Sequence, residues 1–152
     1  MREIHVEQLE SLMPIMRERF AAGQSICIAP RGISMLPLIR QGKDSVILSP
    51  VTDRLKKYDI PLYQRKNGKY VLHRIVEVGE TYTCLGDSQF RLERGIEHSQ
   101  VIAVVTAIRR GNKTISVTSK GYRVYCLLWN GSFPLRYFAF RVVRKLKSFI
   151  KR

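Results

Sequence analysis

Apolar positions in this chain follow two different rhythms. From Val6 to Phe20 they return at three- and four-residue steps, at Val6, Leu9, Leu12, Met13 and Met16, with Glu and Arg between them. That spacing predicts an amphipathic helix. Pro14 falls inside it as a point of kinking or splitting, and Gly23 supplies a stop. The middle of the chain reads instead as short strands: Ser25 to Ala29, Ser45 to Leu48, Ile60 to Tyr63, Tyr70 to Val78, Thr81 to Leu85, Val101 to Ile108 and Lys113 to Val117. Turn signals at Lys66-Asn67-Gly68, Gly79-Glu80 and Gly111-Asn112 separate several of them, as hairpins require. Helical spacing resumes from Phe133 to Arg152, where Leu135, Phe138, Val142, Leu146, Phe149 and Ile150 form one stripe. Arg136, Arg144, Lys145, Lys147 and Lys151 lie off that stripe. The expected fold is mainly β: an antiparallel, partly rolled β-barrel with amphipathic helices at both ends. The expected division is a helix over 1–24, a β domain over 25–118 and a basic helical tail over 119–152. No repeat or low-complexity linker interrupts it.

A chain of 152 residues with 45% hydrophobic and 26% charged residues has room for one domain with a proper core, which excludes wholesale disorder. Charge changes the picture more. The net charge is +15, yet all 12 acidic residues lie at or before Glu97. Twelve basic residues follow Glu97 with no acid among them, so the basic character belongs to the tail. Such asymmetry points to an anionic surface, phospholipid or nucleic acid. A basic helix with an aromatic-aliphatic stripe can rest in a membrane interface; the same stripe can equally pack on its own β domain. The uncharged run from Val124 to Leu135 is too short to span a bilayer, which takes about 20 apolar residues. Met1 to Phe20 carries too many charges for a secretory signal. Cys27, Cys84 and Cys126 are far apart and without Cys-x-x-Cys spacing, so they read as reduced, buried thiols and not as a metal site. No cofactor is expected.

Three segments carry candidate chemistry. Gly32-Ile33-Ser34-Met35 sets a hydroxyl on a Gly-loosened turn, Val71-Leu72-His73-Arg74-Ile75 supplies an imidazole, and Leu85-Gly86-Asp87 supplies an acid. A serine needs a neighbouring base to become a nucleophile. An unperturbed imidazole, titrating near pH ~6.5, can be that base. An acid on the other ring nitrogen fixes its tautomer and stabilises the imidazolium. Asp87 is the first candidate for that acid and Glu93, six residues on, is the second. Each segment also has a plainer reading: a loop serine, a hydrogen-bonded strand histidine and a Gly-Asp turn. The second Gly of a Gly-x-Ser-x-Gly elbow is missing, so an α/β-hydrolase is not supported.

The order and setting of these segments resemble the S26 signal-peptidase family of the S24/S26 serine peptidase superfamily, in the branch that uses His where the bacterial housekeeping branch uses Lys. The likeness covers roughly Ile28 to Arg110. Residues 32–39 resemble the serine box, and Tyr58-Asp59-Ile60-Pro61-Leu62-Tyr63 resembles the Gly-Asp-Ile-Val strand. Val71 to Ile75 is similar to the His-Arg-Ile/Val box, Leu85-Gly86-Asp87-Ser88 to the Gly-Asp-Asn box, and Val101 to Val105 to the closing strand. The resemblance implies a β fold of the signal-peptidase/LexA-protease type. It implies Ser34 as nucleophile, His73 as general base, the Ser34 backbone N–H in the oxyanion hole, and Asp87 or Glu93 as the orienting acid. This chain departs from the family at Tyr58, which replaces a usual Gly, and at Lys43, which separates Gly42 from Asp44. The N-terminal membrane anchor usual in signal peptidases is expected to be absent here. The LexA-type repressor proteases use Ser and Lys, and neither Lys66 nor Lys69 occupies the base position.

The expectation is a serine endopeptidase that cleaves a leader or precursor peptide and is cytoplasmic or peripheral on the inner face of the membrane, held there through residues 133–152. The competing expectation is a non-catalytic peptide- or nucleic-acid-binding module on the same fold, with Tyr122, Tyr125, Trp129, Tyr137 and Phe138 as stacking or core residues. Nucleic acid is the less favoured partner.

Overall fold

The computed structural model describes residues 9–150. Helix α1 (Leu9–Ala21) leads into nine strands: β1 (Ile26–Ile28), β2 (Asp44–Ser49), β3 (Pro61–Gln64), β4 (Tyr70–Leu72), β5 (Arg74–Val78), β6 (Tyr82–Leu85), β7 (Glu93–Ile96), β8 (Val101–Arg110) and β9 (Lys113–Ser116). Helices α2 (Lys120–Gly131) and α3 (Phe133–Ile150) follow. Helices hold about as many residues as strands, and the strands form two antiparallel sheets with no closed barrel. The expectation of a mainly β chain is therefore corrected to mixed α and β. The 12 residues of α2, most of them in an uncharged run, fold as a separate helix capped by the Ser119 side chain.

The larger sheet runs β1-β2-β8-β3-β4, with β9 also on β8. Its spine is the ten-residue β8, which pairs with β2 along one edge and with β3 and then β9 along the other. The smaller sheet is β5-β6-β7. Residues 70–78, expected as one strand, are two: β4 pairs with β3 in the large sheet and β5 with β6 in the small one. His73 is the single residue between them. Alternating polarity cannot register such a change of partner, because both halves keep the same period.

One core joins α1 to the large sheet. Leu9, Met13, Met16 and Phe20 recur at helical steps and are buried with Ile28, Val46, Leu62 and Val105, and α2 adds Tyr122 and Cys126. Burial of large apolar side chains of this kind contributes about 1.5–3 kcal/mol each. Pro14 lies within an unbroken α1. Gly23 ends the helix at φ 73°, a conformation that glycine adopts without Cβ strain. The part of the expected helix before Leu9 lies outside the described residues. A second cluster around Tyr63, Ile75, Tyr82 and Cys84 fills the space under the small sheet.

The loop before β2 is anchored by Asp44. Burial by itself raises its pKa, but hydrogen bonds from Arg40 and Arg110 outweigh that and hold it down at about 2. The three cysteines are free and buried. Burial pushes the Cys84 thiol up to about 12.

Candidate active site

Two backbone segments meet around Ser34. The Ser34 carbonyl accepts a hydrogen bond from the Ser88 N–H (3.0 Å), and the Ser88 hydroxyl donates to the Ile33 carbonyl (2.6 Å). Gly86 makes this contact possible, since a Cβ there would stand 2.7 Å from the Ser34 carbonyl oxygen. Any larger residue would push the serine loop away from the strand end that supports it. Gly32 turns the other end of the loop at φ 94°, and its N–H donates to Gln41 Oε1. Ser34 is half-buried, and its own N–H donates to no acceptor among the described residues.

His73 is 4% exposed. Its Nδ1 lies 3.4 Å from Glu93 Oε1 and 3.4 Å from the Tyr63 hydroxyl, which leaves Nε2 as the other ring nitrogen. Ser34 and His73 line one cavity of about 230 Å³, together with Arg31, Arg65, Leu62 and Gln89. No hydrogen bond joins the two among the described residues. Burial lowers the His73 pKa below its ordinary 6.5, opposed by the charge of Glu93. Glu93 is held below the usual carboxylate range, first by hydrogen bonds from Arg65, whose guanidinium meets both carboxylate oxygens. A neutral imidazole thus faces an ionised acid at neutral pH.

Strand β7 brings Glu93 to this place by pairing it with Cys84 on β6. Alternation predicts no strand there, because Glu93-Arg94-Gly95-Ile96 offers one apolar residue and a glycine. Its one available signal was the acid itself, named as the second candidate.

Asp87 lies near enough to favour the His73 imidazolium weakly, but its carboxylate is held by other groups. Its two carboxylate oxygens take the Arg74 guanidinium side-on at 2.8 Å each, and the Tyr125 hydroxyl donates to Oδ2 at 2.8 Å. The expected first choice of acid is thus occupied by Arg74, and the acid beside His73 is Glu93. The Arg74–Asp87 pair is buried on both sides. Burial by itself would lower the Arg74 pKa, but Asp87 drives it upward. Arg74 Nη1 also donates to the Tyr58 carbonyl, the Tyr122 hydroxyl and Cys126 Sγ. Trp129 Nε1 donates to the Asp87 carbonyl at 2.9 Å. Tyr122, Tyr125, Cys126 and Trp129 lie three, four and seven residues apart on one face of α2, so this helix is the lid over the ion pair. The pair has a positional consequence: it ties the residue after His73 to the segment that clamps Ser34. Tyr58 takes part at φ 79°, a conformation favoured by glycine that costs another residue about 1–2 kcal/mol. Its N–H bonds to the Ile75 carbonyl.

Helix α3 has two apolar faces. Phe133, Tyr137 and Phe140 meet Phe90, with Phe90 stacked on Phe140 at 4.6 Å. The stripe expected from the sequence is on the other side: Leu135 is 72% exposed, Phe138 67%, Leu146 56% and Phe149 65%. The face of α3 that packs on the domain is thus not the one picked out by the pattern. Among the described residues no helix is long and apolar enough to cross a membrane. Compared with known protein families, curated proteins and solved structures, the chain matches none.

Proposed function

We propose that the chain is a serine endopeptidase of the signal-peptidase type that cleaves a leader or precursor peptide. The observation that carries this reading is the meeting of Ser34 and His73 in one cavity, with the ionised Glu93 3.4 Å from the imidazole Nδ1. Ser34 Oγ attacks the scissile carbonyl as His73 Nε2 takes its proton. The unused Ser34 N–H faces the developing oxyanion, a donor of a kind worth about 3 kcal/mol of barrier. His73 then passes the proton to the departing amine, and a water hydrolyses the Ser34 ester by the same route. Glu93 holds Nδ1 protonated throughout, while Tyr63 and Arg65 fix Glu93. Two features support the family likeness beyond the catalytic residues. Tyr58 adopts the backbone geometry of the glycine usual at its position, and the His-Arg and Gly-Asp boxes meet through Arg74 and Asp87.

The expected pH profile follows from the burial of His73. Peptide kcat/KM should be level at neutral pH and fall as pH drops, with a midpoint below 6.5. Stability moves the same way. Above 6.5 the ring is neutral folded or unfolded; below it the unfolded chain takes up the proton first, so stability is lost as pH falls through the folded value. Glu93→Gln removes the charge that favours the imidazolium and is expected to move the kinetic midpoint lower still. A midpoint at or above 6.5, or one that Glu93→Gln leaves in place, would speak against His73 as the base held by Glu93.

The exposed stripe of α3 is proposed to rest on anionic lipid, with Arg141 and Lys145, which flank it, near the headgroups. Each such cation contributes about 1 kcal/mol near a charged surface, fading with salt. The full chain is expected to float with anionic vesicles, and the double variant Phe138→Glu/Leu146→Glu is expected to remain in solution. Equal flotation of the two would show that the stripe is not the contact.

A further inference from the structure

We propose that a second cavity beside the candidate site binds an acidic segment of the substrate peptide, to one side of the bond that is cut. This rests on the reading of Ser34 and His73 as the catalytic pair. The two cavities share Arg65 and Gln89, so a peptide leaving Ser34 past those residues enters the second directly. That space, about 950 Å³, lies between the segment after β6 and helix α3. Phe90, Tyr137 and Phe140 form an aromatic wall, and Arg65, Arg91, Arg94 and Arg144 also line it. Its one lining carboxylate among the described residues is Glu93, already taken by Arg65. Arg94 meets Glu77 at 3.3 Å with both side chains about two-thirds exposed, a contact that water and salt make weak. Arg144 lies 5.8 Å over the Phe140 ring. Guanidinium groups set against aromatic rings, short of acids of their own, suit carboxylates that they can grip with two N–H groups at once.

The test uses two peptides identical around the cut, one with three Glu and one with three Gln in the flank, each made with the flank on either side. For one placement, the acidic peptide is expected to show a KM about tenfold lower at low salt, a difference that shrinks as salt is added. The double variant Arg91→Glu/Arg144→Glu is expected to lose that preference. Anisotropy of the labelled peptides on Ser34→Ala gives the same comparison without turnover, so failure of the catalytic reading and failure of this one are separable. Equal binding of acidic and neutral peptides to Ser34→Ala overturns the proposal, even if both are cleaved by the wild type. An Arg91→Glu/Arg144→Glu variant that loses flotation with anionic vesicles but keeps the peptide preference assigns these arginines to lipid and also overturns it.

Discussion

Ser34→Ala is expected to fold like the wild type and to lose peptide cleavage by about 10⁴-fold or more. The substitution removes one oxygen that no described hydrogen bond employs. The clamp on the serine loop runs through backbone carbonyls and Ser88, so alanine preserves it. Stability should therefore stay within about 0.5 kcal/mol. The loss should appear in kcat, with peptide affinity retained, because the missing oxygen acts on the reacting carbonyl and holds no other part of the substrate. His73→Ala should lower kcat comparably, and the double variant should be little worse than either, since the two groups act as one unit. Turnover and thermal melts of the three variants measure this. Equal turnover by wild type and Ser34→Ala would remove Ser34 from the chemistry.

Asp87→Ala is expected to behave in the opposite way, by weakening the fold. It would leave the Arg74 guanidinium buried without its counter-charge, a change that typically costs about 3–5 kcal/mol. Tyr125 would lose its acceptor as well. Because the pair joins the His73 segment to the Ser34 clamp, activity should fall with stability. A companion substitution separates charge from packing. Arg74→Met/Asp87→Leu should be less damaging than Asp87→Ala alone, because no isolated charge remains in the core. Urea midpoints of the variants decide the point. An Asp87→Ala protein as stable as wild type yet inactive would return Asp87 to the role of orienting acid and displace Glu93.

The two acids show how far the sequence could be read. Ser34, His73 and both carboxylates were visible as residue types in order, and the strands on either side of His73 and the one before Asp87 were visible from alternation. The assignment of acid to base was not. It depends on β7, whose short, polar, glycine-containing segment has no periodic signal, and on a register that sets Glu93 beside Cys84. The break at His73 was hidden for a related reason: one alternating run serves two sheets, and only the partners differ. The strand runs came close to the observed extent; what the pattern missed is that the helical tail over 119–152 is two helices, which with α1 match the strands in length. Tyr122, Tyr125 and Trp129 of α2 looked like stacking or core residues, yet their polar ends serve Arg74 and Asp87. On α3 the pattern found the wider apolar stripe, and that stripe is exposed. The docked face is three aromatics matched to Phe90, a contact made by a distant residue that helical spacing alone cannot foresee.

A serine-directed fluorophosphonate probe, read by peptide mass spectrometry, measures whether Ser34 is an activated nucleophile. A single stoichiometric adduct on Ser34 of the folded chain is expected, lost in His73→Ala and after denaturation. Reaction should slow as pH falls below 6.5. No adduct on Ser34, or one that forms equally well in His73→Ala, would contradict that role for Ser34.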